Sequence, residues 1–171
     1  MRREEREIMD RKQIDWVISK TPVFRLGLCK DGQPYIVPLS FGYDGRSIYF
    51  HTARKGLKLD YLEANPRVCF EMEHEVNPIR NQKSPCNWSQ SFYSVIGFGV
   101  VREITDERLK VQALNQVVEH YAEDEPDSLK AWVFEEKLLN GTRVWEISIQ
   151  EISGKQTEDK KTEDKKTSSP A

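Results

Sequence analysis

The run RSIYFHT, residues 46–52, is a strand with bulky groups on both faces. Side chains alternate across a strand, so Ile48 and Phe50 point one way and Tyr49 and His51 the other. An antiparallel sheet in a small domain commonly leaves one face wet. A strand loaded on both faces needs cover on both. A sheet curled into a barrel, with other elements packed on its outside, provides it.

The neighbouring segments fit that demand. VFRLGLC ends at the turn KDGQP, and YIVPLSFGY is closed by Asp44-Gly45, a strong hairpin signal. RVCFEM follows an Asn-Pro break, and SFYSVIGFGVVREI and TRVWEISIQEI complete six strand-like runs. In TRVWEISIQEI, Trp145, Ile147 and Ile149 alternate with Glu146, Ser148 and Gln150, which predicts one buried and one wet face. Gly97 and Gly99 share a strand face, which predicts a bend or a close backbone approach. Helices are expected over 10–20, 54–64, 105–123 and 128–141, with Thr105 as the cap of the third and Gly141 closing the fourth. Leu109, Ala113, Val117 and Tyr121 form the apolar stripe of the third helix, and Leu109, Val117 and Trp132 are assigned to core or subunit contact. A polar loop is expected over 73–90. With little β-α-β rhythm, the fold class is mainly β: an antiparallel β-barrel with α-helices packed outside.

The chain has 171 residues, enough for one domain, assigned to 1–153. From 154 the composition turns polar, with TEDKK repeated, and a disordered tail is expected. The formal net charge of -2 points to neither nucleic acid nor an anionic membrane as partner. No apolar run nears the ~18 residues of a membrane span, and the charged amino end does not read as a secretory signal. Cys29 and Cys69 lie in apolar runs and are expected to be buried thiols; Cys86 lies in a polar one. An odd cysteine count suits a reducing, cytoplasmic setting. The histidines are three and scattered, so no metal site is expected; His74 and His120 read as exposed.

The stretch YFHTARKGLKLDYL carries the functional signal. Read with Thr52 as its cap, the following helix would hold Arg54 and Lys55 in its first turn, with Lys58 just beyond. A helix start is already positive and carries unpaired amide donors. Cations there are opposed by about 0.3–1 kcal/mol each. Together with Gly56, which lets a ligand approach the backbone, this predicts a phosphate site. No dinucleotide or P-loop glycine pattern accompanies it.

These residues carry a resemblance. The elements G-x-P-x-x-x-P-L, Y-F-H-T-A and G-x-K-x-x-x-L-x-x-N-P-R-V occur in order, followed by F-Y-S-V-I-G-F-G-V and V-W-E-I-S-I-Q-E-I-S-G-K. The set resembles the pyridoxamine 5'-phosphate oxidase-like FMN-binding split barrels, above all the nitroimidazole-resistance (Nim) flavoproteins, over about residues 5 to 156. The resemblance implies a six-stranded antiparallel Greek-key split barrel, and a homodimer with FMN in two interface clefts. It places Val37, Pro38, Leu39 and Ser40 at the isoalloxazine edge, mainly through backbone. It places His51, Thr52 and Ala53 near the flavin and its phosphate arm, and Lys58, with Arg54 or Lys55 beside it, on the phosphate. YIVPLS replaces the R-x-x-L-L-K strand of the pyridoxamine-phosphate oxidases, and their basic carboxy-terminal motif has no counterpart. Oxidation of vitamin B6 is therefore not expected.

Flavin brings its own redox chemistry, so few catalytic side chains are required. The expected function is an FMN-dependent oxidoreductase that reduces a small electron-poor substrate, such as a nitro-aromatic, with electrons from NAD(P)H. His51 is the candidate proton donor. Trp88 and Tyr93 are the candidate substrate contacts. The alternative is a non-catalytic module that stores or senses flavin or haem, with His51 the best-placed axial ligand.

Overall fold

The computed structural model describes residues 4–81, 84–122 and 133–157. After a single 3₁₀ turn, the elements are β1 (Glu7–Ile8), α1 (Arg11–Lys20), β2 (Phe24–Lys30), β3 (Gln33–Leu39), β4 (Gly42–Tyr43), β5 (Ser47–Ala53), α2 (Leu57–Ala64), β6 (Arg67–Ile79), β7 (Ser89–Ile104), α3 (Glu107–Tyr121), α4 (Glu136–Gly141) and β8 (Thr142–Thr157). The strands form one antiparallel sheet in the order β3-β2-β6-β7-β8-β5-β4, with β1 added to β8.

Phe24 of β2 and Phe50 of β5 lie four strands apart in that order, yet their ring centroids are 5.8 Å apart. A flat sheet would separate them by about 19 Å, so the sheet is curled around its core. Phe24, Leu26, Phe41, Ile48, Phe50, Phe70, Val95 and Ile147 fill the interior as one cluster. A Cβ on Gly97 would lie 2.2 Å from the Phe70 ring, and one on Gly99 would lie 2.5 Å from the Ser148 carbonyl oxygen. Both glycines thus mark close approaches, and the β7–β8 register shifts between Phe98 and Gly99.

The mainly β, antiparallel split barrel is as expected, but the described strands number eight rather than six. The run YIVPLSFGY divides into β3 and β4, and β1 and β4, at two residues each, are too short for periodicity to reveal. No loop fills 73–90: β6 runs to Ile79 and β7 starts at Ser89, because backbone ladders do not require apolar side chains. Glu75, at φ 52°, absorbs the register shift between His74 and Asn77. At the other end of the chain, β8 continues to Thr157, with Gly154 paired to Val95 and Ile8, so the ordered domain passes the expected limit at 153. The remaining tail, and Trp132, lie outside the described residues.

Other side chains also depart from expectation. The third helix is capped by Asp106, whose carboxylate accepts from the Leu109 amide at 3.0 Å, rather than by Thr105. It buries Ala113, Leu114 and Val117, while Leu109 and Tyr121 stay exposed. α4 ends on Gly141 itself, with Thr142 as its cap. His120 is not a free surface group: its Nε2 lies 2.8 Å from the Thr21 carbonyl and its ring packs on Phe41. His74 packs edge-on against Trp16 from within β6. Glu146 is buried under α3 despite its polar position, bonded to Ser47 Oγ and Arg102. Cys29 is half-buried and Cys69 exposed, since both face outward from the barrel.

Candidate functional site

The cationic stretch sits where β5 leaves the sheet, but its local structure differs from the sequence reading. β5 carries on through Ala53, and α2 starts only at Leu57. Thr52 is therefore not a helix cap. It is 3% exposed, and its Oγ1 accepts a hydrogen bond from Trp145 Nε1 at 3.1 Å inside the barrel. Strand alternation turns its neighbours His51 and Ala53 outward.

The cap of α2 is Gly56, at φ 136°, which offers no side-chain oxygen to the first-turn amides. Asp60 is the acid of that turn, and Lys58 is its cation. Among the described residues Lys58 makes no ion pair. Its charge reaches His51: crowding, and then Lys58, hold the imidazole below its ordinary pKa. Both effects bias His51 toward the neutral imidazole. Tyr61 ties α2 to the sheet by packing on Tyr35 of β3, ring centroids 5.1 Å apart.

Among the described strands β3 is an edge, bonded only to β2, so no described strand pairs with its outer backbone groups. Val37 is buried in the core and Leu39 packs against it, whereas Pro38 and Ser40 are exposed. Recognition there through backbone fits these positions.

Arg54 and Lys55 precede the helix rather than occupying its first turn. Arg54 turns away from Lys58. Its Nη1 donates to the Asn140 carbonyl at 2.6 Å, where the end of α4 favours a cation. It lines a polar hollow with Glu103, Lys110, Thr142 and Arg143. Lys55 is exposed and makes no ion pair among the described residues.

Trp88 and Tyr93 are not brought to this end. His51 pairs with Val144, which pairs with Ile104 at the far end of β7 from Tyr93. Eleven residues of strand span roughly 35 Å. Tyr93 packs on Trp16 of α1, and Trp88 is held at the β6–β7 tip by its indole N–H on the Asn81 carbonyl. Within one chain, neither can share a cleft with His51.

Two cavities went unnoticed in the sequence. One, of about 510 Å³, lies between α3 and the sheet, lined by Asp44, Tyr49, Arg102, Leu109 and Glu146 among others. Tyr49 donates to Asp44 there, and burial followed by that bond pushes its hydroxyl up to about 12. The other, of about 640 Å³, is a groove on the outward face of β2, β3 and β6, bordered by Phe98. Both form from residues far apart in sequence, so no local pattern announces them.

Comparison with known proteins gives a consistent picture. A family model described as pyridoxamine 5'-phosphate oxidase matches residues 10–156. A candidate 5-nitroimidazole antibiotic resistance protein of Bacteroides thetaiotaomicron is 25% identical, with a TM-score of 0.74 over 87% of this chain and 85% of that one. The FAD and heme binding protein of Mycobacterium smegmatis superposes with a TM-score of 0.78 over 97% of this chain and 82% of that one, at 19% identity. An uncharacterised protein of Rhizobium meliloti (strain 1021) is 32% identical over 65 residues; the match spans 38% of this chain and 42% of the relative.

Proposed function

Because the chain belongs to the pyridoxamine 5'-phosphate oxidase family, we propose that it is an FMN-dependent oxidoreductase. In this reading it reduces a small electron-poor substrate of the nitro-aromatic type with electrons from NAD(P)H. The observation that carries the reading is Lys58. It is a cation in a helix first turn, without an ion-pair partner among the described residues, above amides that Gly56 leaves uncapped. That donor set suits the phosphate of a flavin mononucleotide. Lys58 and the α2 amides would hold the phosphate, and the open edge of β3 at Val37, Pro38, Leu39 and Ser40 would meet the ring through backbone. The bound flavin supplies hydride and electron transfer. His51, biased toward the neutral form beside Lys58, would orient the ligand by a hydrogen bond and pass a proton near neutral pH.

A second copy of the chain completes this proposal. Ile36, Ile96 and Phe98 are 67%, 47% and 52% exposed on the outward sheet face, a patch unusual for a monomer. A homodimer through that face supplies the far wall of the cleft, and a partner's β6–β7 tip is the route by which Trp88 reaches a flavin.

The test is the visible spectrum of the purified protein, then anaerobic bleaching with NADH or NADPH and reoxidation by a nitroimidazole. Flavin bands with both responses support the reading; flavin bands without bleaching leave a binding module. Haem is the second reading, with His51, turned outward on β5, as the candidate axial ligand. A Soret band that His51→Ala removes would establish that alternative.

A further inference from the structure

We infer that Arg143 is a positioning residue for the cofactor site: it clamps α2, and with it Lys58, to the strand pair that carries His51. This role presupposes the FMN reading and adds to it a residue that acts through α2. Arg143 of β8 lies opposite Thr52 in the β5–β8 register, one residue from the His51–Val144 pair. Its guanidinium carbon sits 4.7 Å from the centre of the Trp145 ring, on the barrel side where Trp145 meets Thr52. The guanidinium divides its donors between two elements. Nε and Nη2 donate to the two carboxylate oxygens of Glu103 on β7, Nε at 2.9 Å, and Nη1 donates to Glu63 on α2. A planar fork can serve both partners at once; a lysine, as a point charge, could not.

Lys58 and Glu63 ride on the same eight-residue helix. On one side, Tyr61 packs on Tyr35 of β3, and Asn65, just past the helix, donates to the Cys29 carbonyl of β2 at 3.1 Å. β2 and β3 end the sheet at one edge, whereas β8 and β5 lie toward the other. On that second side, Glu63 to Arg143 is the only hydrogen bond or ion pair made by an α2 side chain among the described residues. Leu59 and Leu62 bury the helix against the core, but apolar contact has no direction of its own. The Glu63 side chain is more than half exposed, so its bond adds little to global stability. Orientation is what its loss changes. Lys58 is felt at His51, so the two halves of the proposed site are coupled across the gap that Arg143 spans.

The test is Glu63→Ala in the full chain. By charge alone, removing a carboxylate should tighten binding of an anionic ligand and push the His51 pKa further down. Loss of the clamp acts with the opposite sign on both. FMN affinity, read from quenching of flavin fluorescence, should fall about tenfold. The His51 pKa, read by NMR titration of the ligand-free protein, should rise as Lys58 drifts from it. Glu63→Gln, whose amide oxygen still accepts from Arg143, should change less in both. The urea midpoint of Glu63→Ala should stay near that of the unaltered chain. FMN affinity that is kept or improved overturns the inference, as does a His51 pKa that stays or falls. A large drop in the urea midpoint also overturns it, since the bond would then be holding the fold. If the unaltered chain binds no FMN, the FMN reading fails by itself, and the ligand-free His51 titration still decides whether Arg143 places Lys58.

Discussion

Trp145 Nε1 donates to Thr52 Oγ1 at 3.1 Å, joining β8 to β5 inside the barrel. Both residues are buried. Thr52→Val keeps the shape and orphans the indole N–H, and should cost about 1–2 kcal/mol in urea unfolding. Thr52→Ser should recover most of that. A neutral Thr52→Val would show that the bond contributes nothing.

In the proposed site, phosphate recognition rests on Lys58. Lys58→Glu should abolish retention of FMN through purification, while Arg54→Ala, at a residue committed to Asn140, should retain it. The reverse pattern in flavin absorbance would move the phosphate site to the Arg54 hollow.

His51 has a depressed pKa, from crowding first and Lys58 second. The sign follows directly: an unfolded chain takes up a proton at His51 more readily than the folded one. The contribution to stability is present above the ordinary value near 6.5 and is lost as pH falls through the depressed value. His51→Gln should therefore flatten the stability profile between neutral pH and pH 5. In NMR titration, Lys58→Met should bring the His51 pKa partway back up, since crowding remains. No movement in Lys58→Met would remove the coupling.

Gly97 faces Phe70 with no room for a methyl group. Gly97→Ala should destabilise by about 1–3 kcal/mol in thermal or urea unfolding. Gly97→Ala/Phe70→Leu should recover part of it. Additive losses in the double variant would show that the two positions do not share the space.

The exposed trio Ile36, Ile96 and Phe98 predicts assembly. Phe98→Glu should convert a dimer to a monomer in analytical ultracentrifugation. A dimer that persists, or a wild type that is monomeric at micromolar concentration, removes the proposed interface.

What the sequence disclosed follows from how local each signal is. Alternation in RSIYFHT foretold the inner face, where Ile48 and Phe50 are buried; the outer face is covered only in part, with Tyr49 half-buried and His51 exposed. The glycines at 97 and 99 foretold close contact, since nothing else explains small residues on one strand face. Thr52 misled because threonine serves equally as a helix cap and as a strand residue. Its real partner, Trp145, is 93 positions away. Arg54 misled for the same reason, its charge being answered by Asn140, 86 positions along the chain. The polar span 73–90 hid two strand ends because ladder pairing is made by the backbone, which composition does not report. Lys58 still falls at a helix start, because α2 begins at Leu57 rather than at Arg54.

The curled sheet ends at β3 on one side and β4 on the other, and the described strands lay no main-chain rungs between those two edges. The seam is closed by rings: Phe24 meets Phe41 and Phe50, and Tyr121 receives the Phe41 amide at 3.1 Å. Parting the seam therefore separates aromatic surfaces while every interstrand hydrogen bond stays in place. Ser40 and Phe41 also join β3 to β4 covalently at this seam, so ring contacts and that link, rather than ladder rungs, hold the barrel shut there.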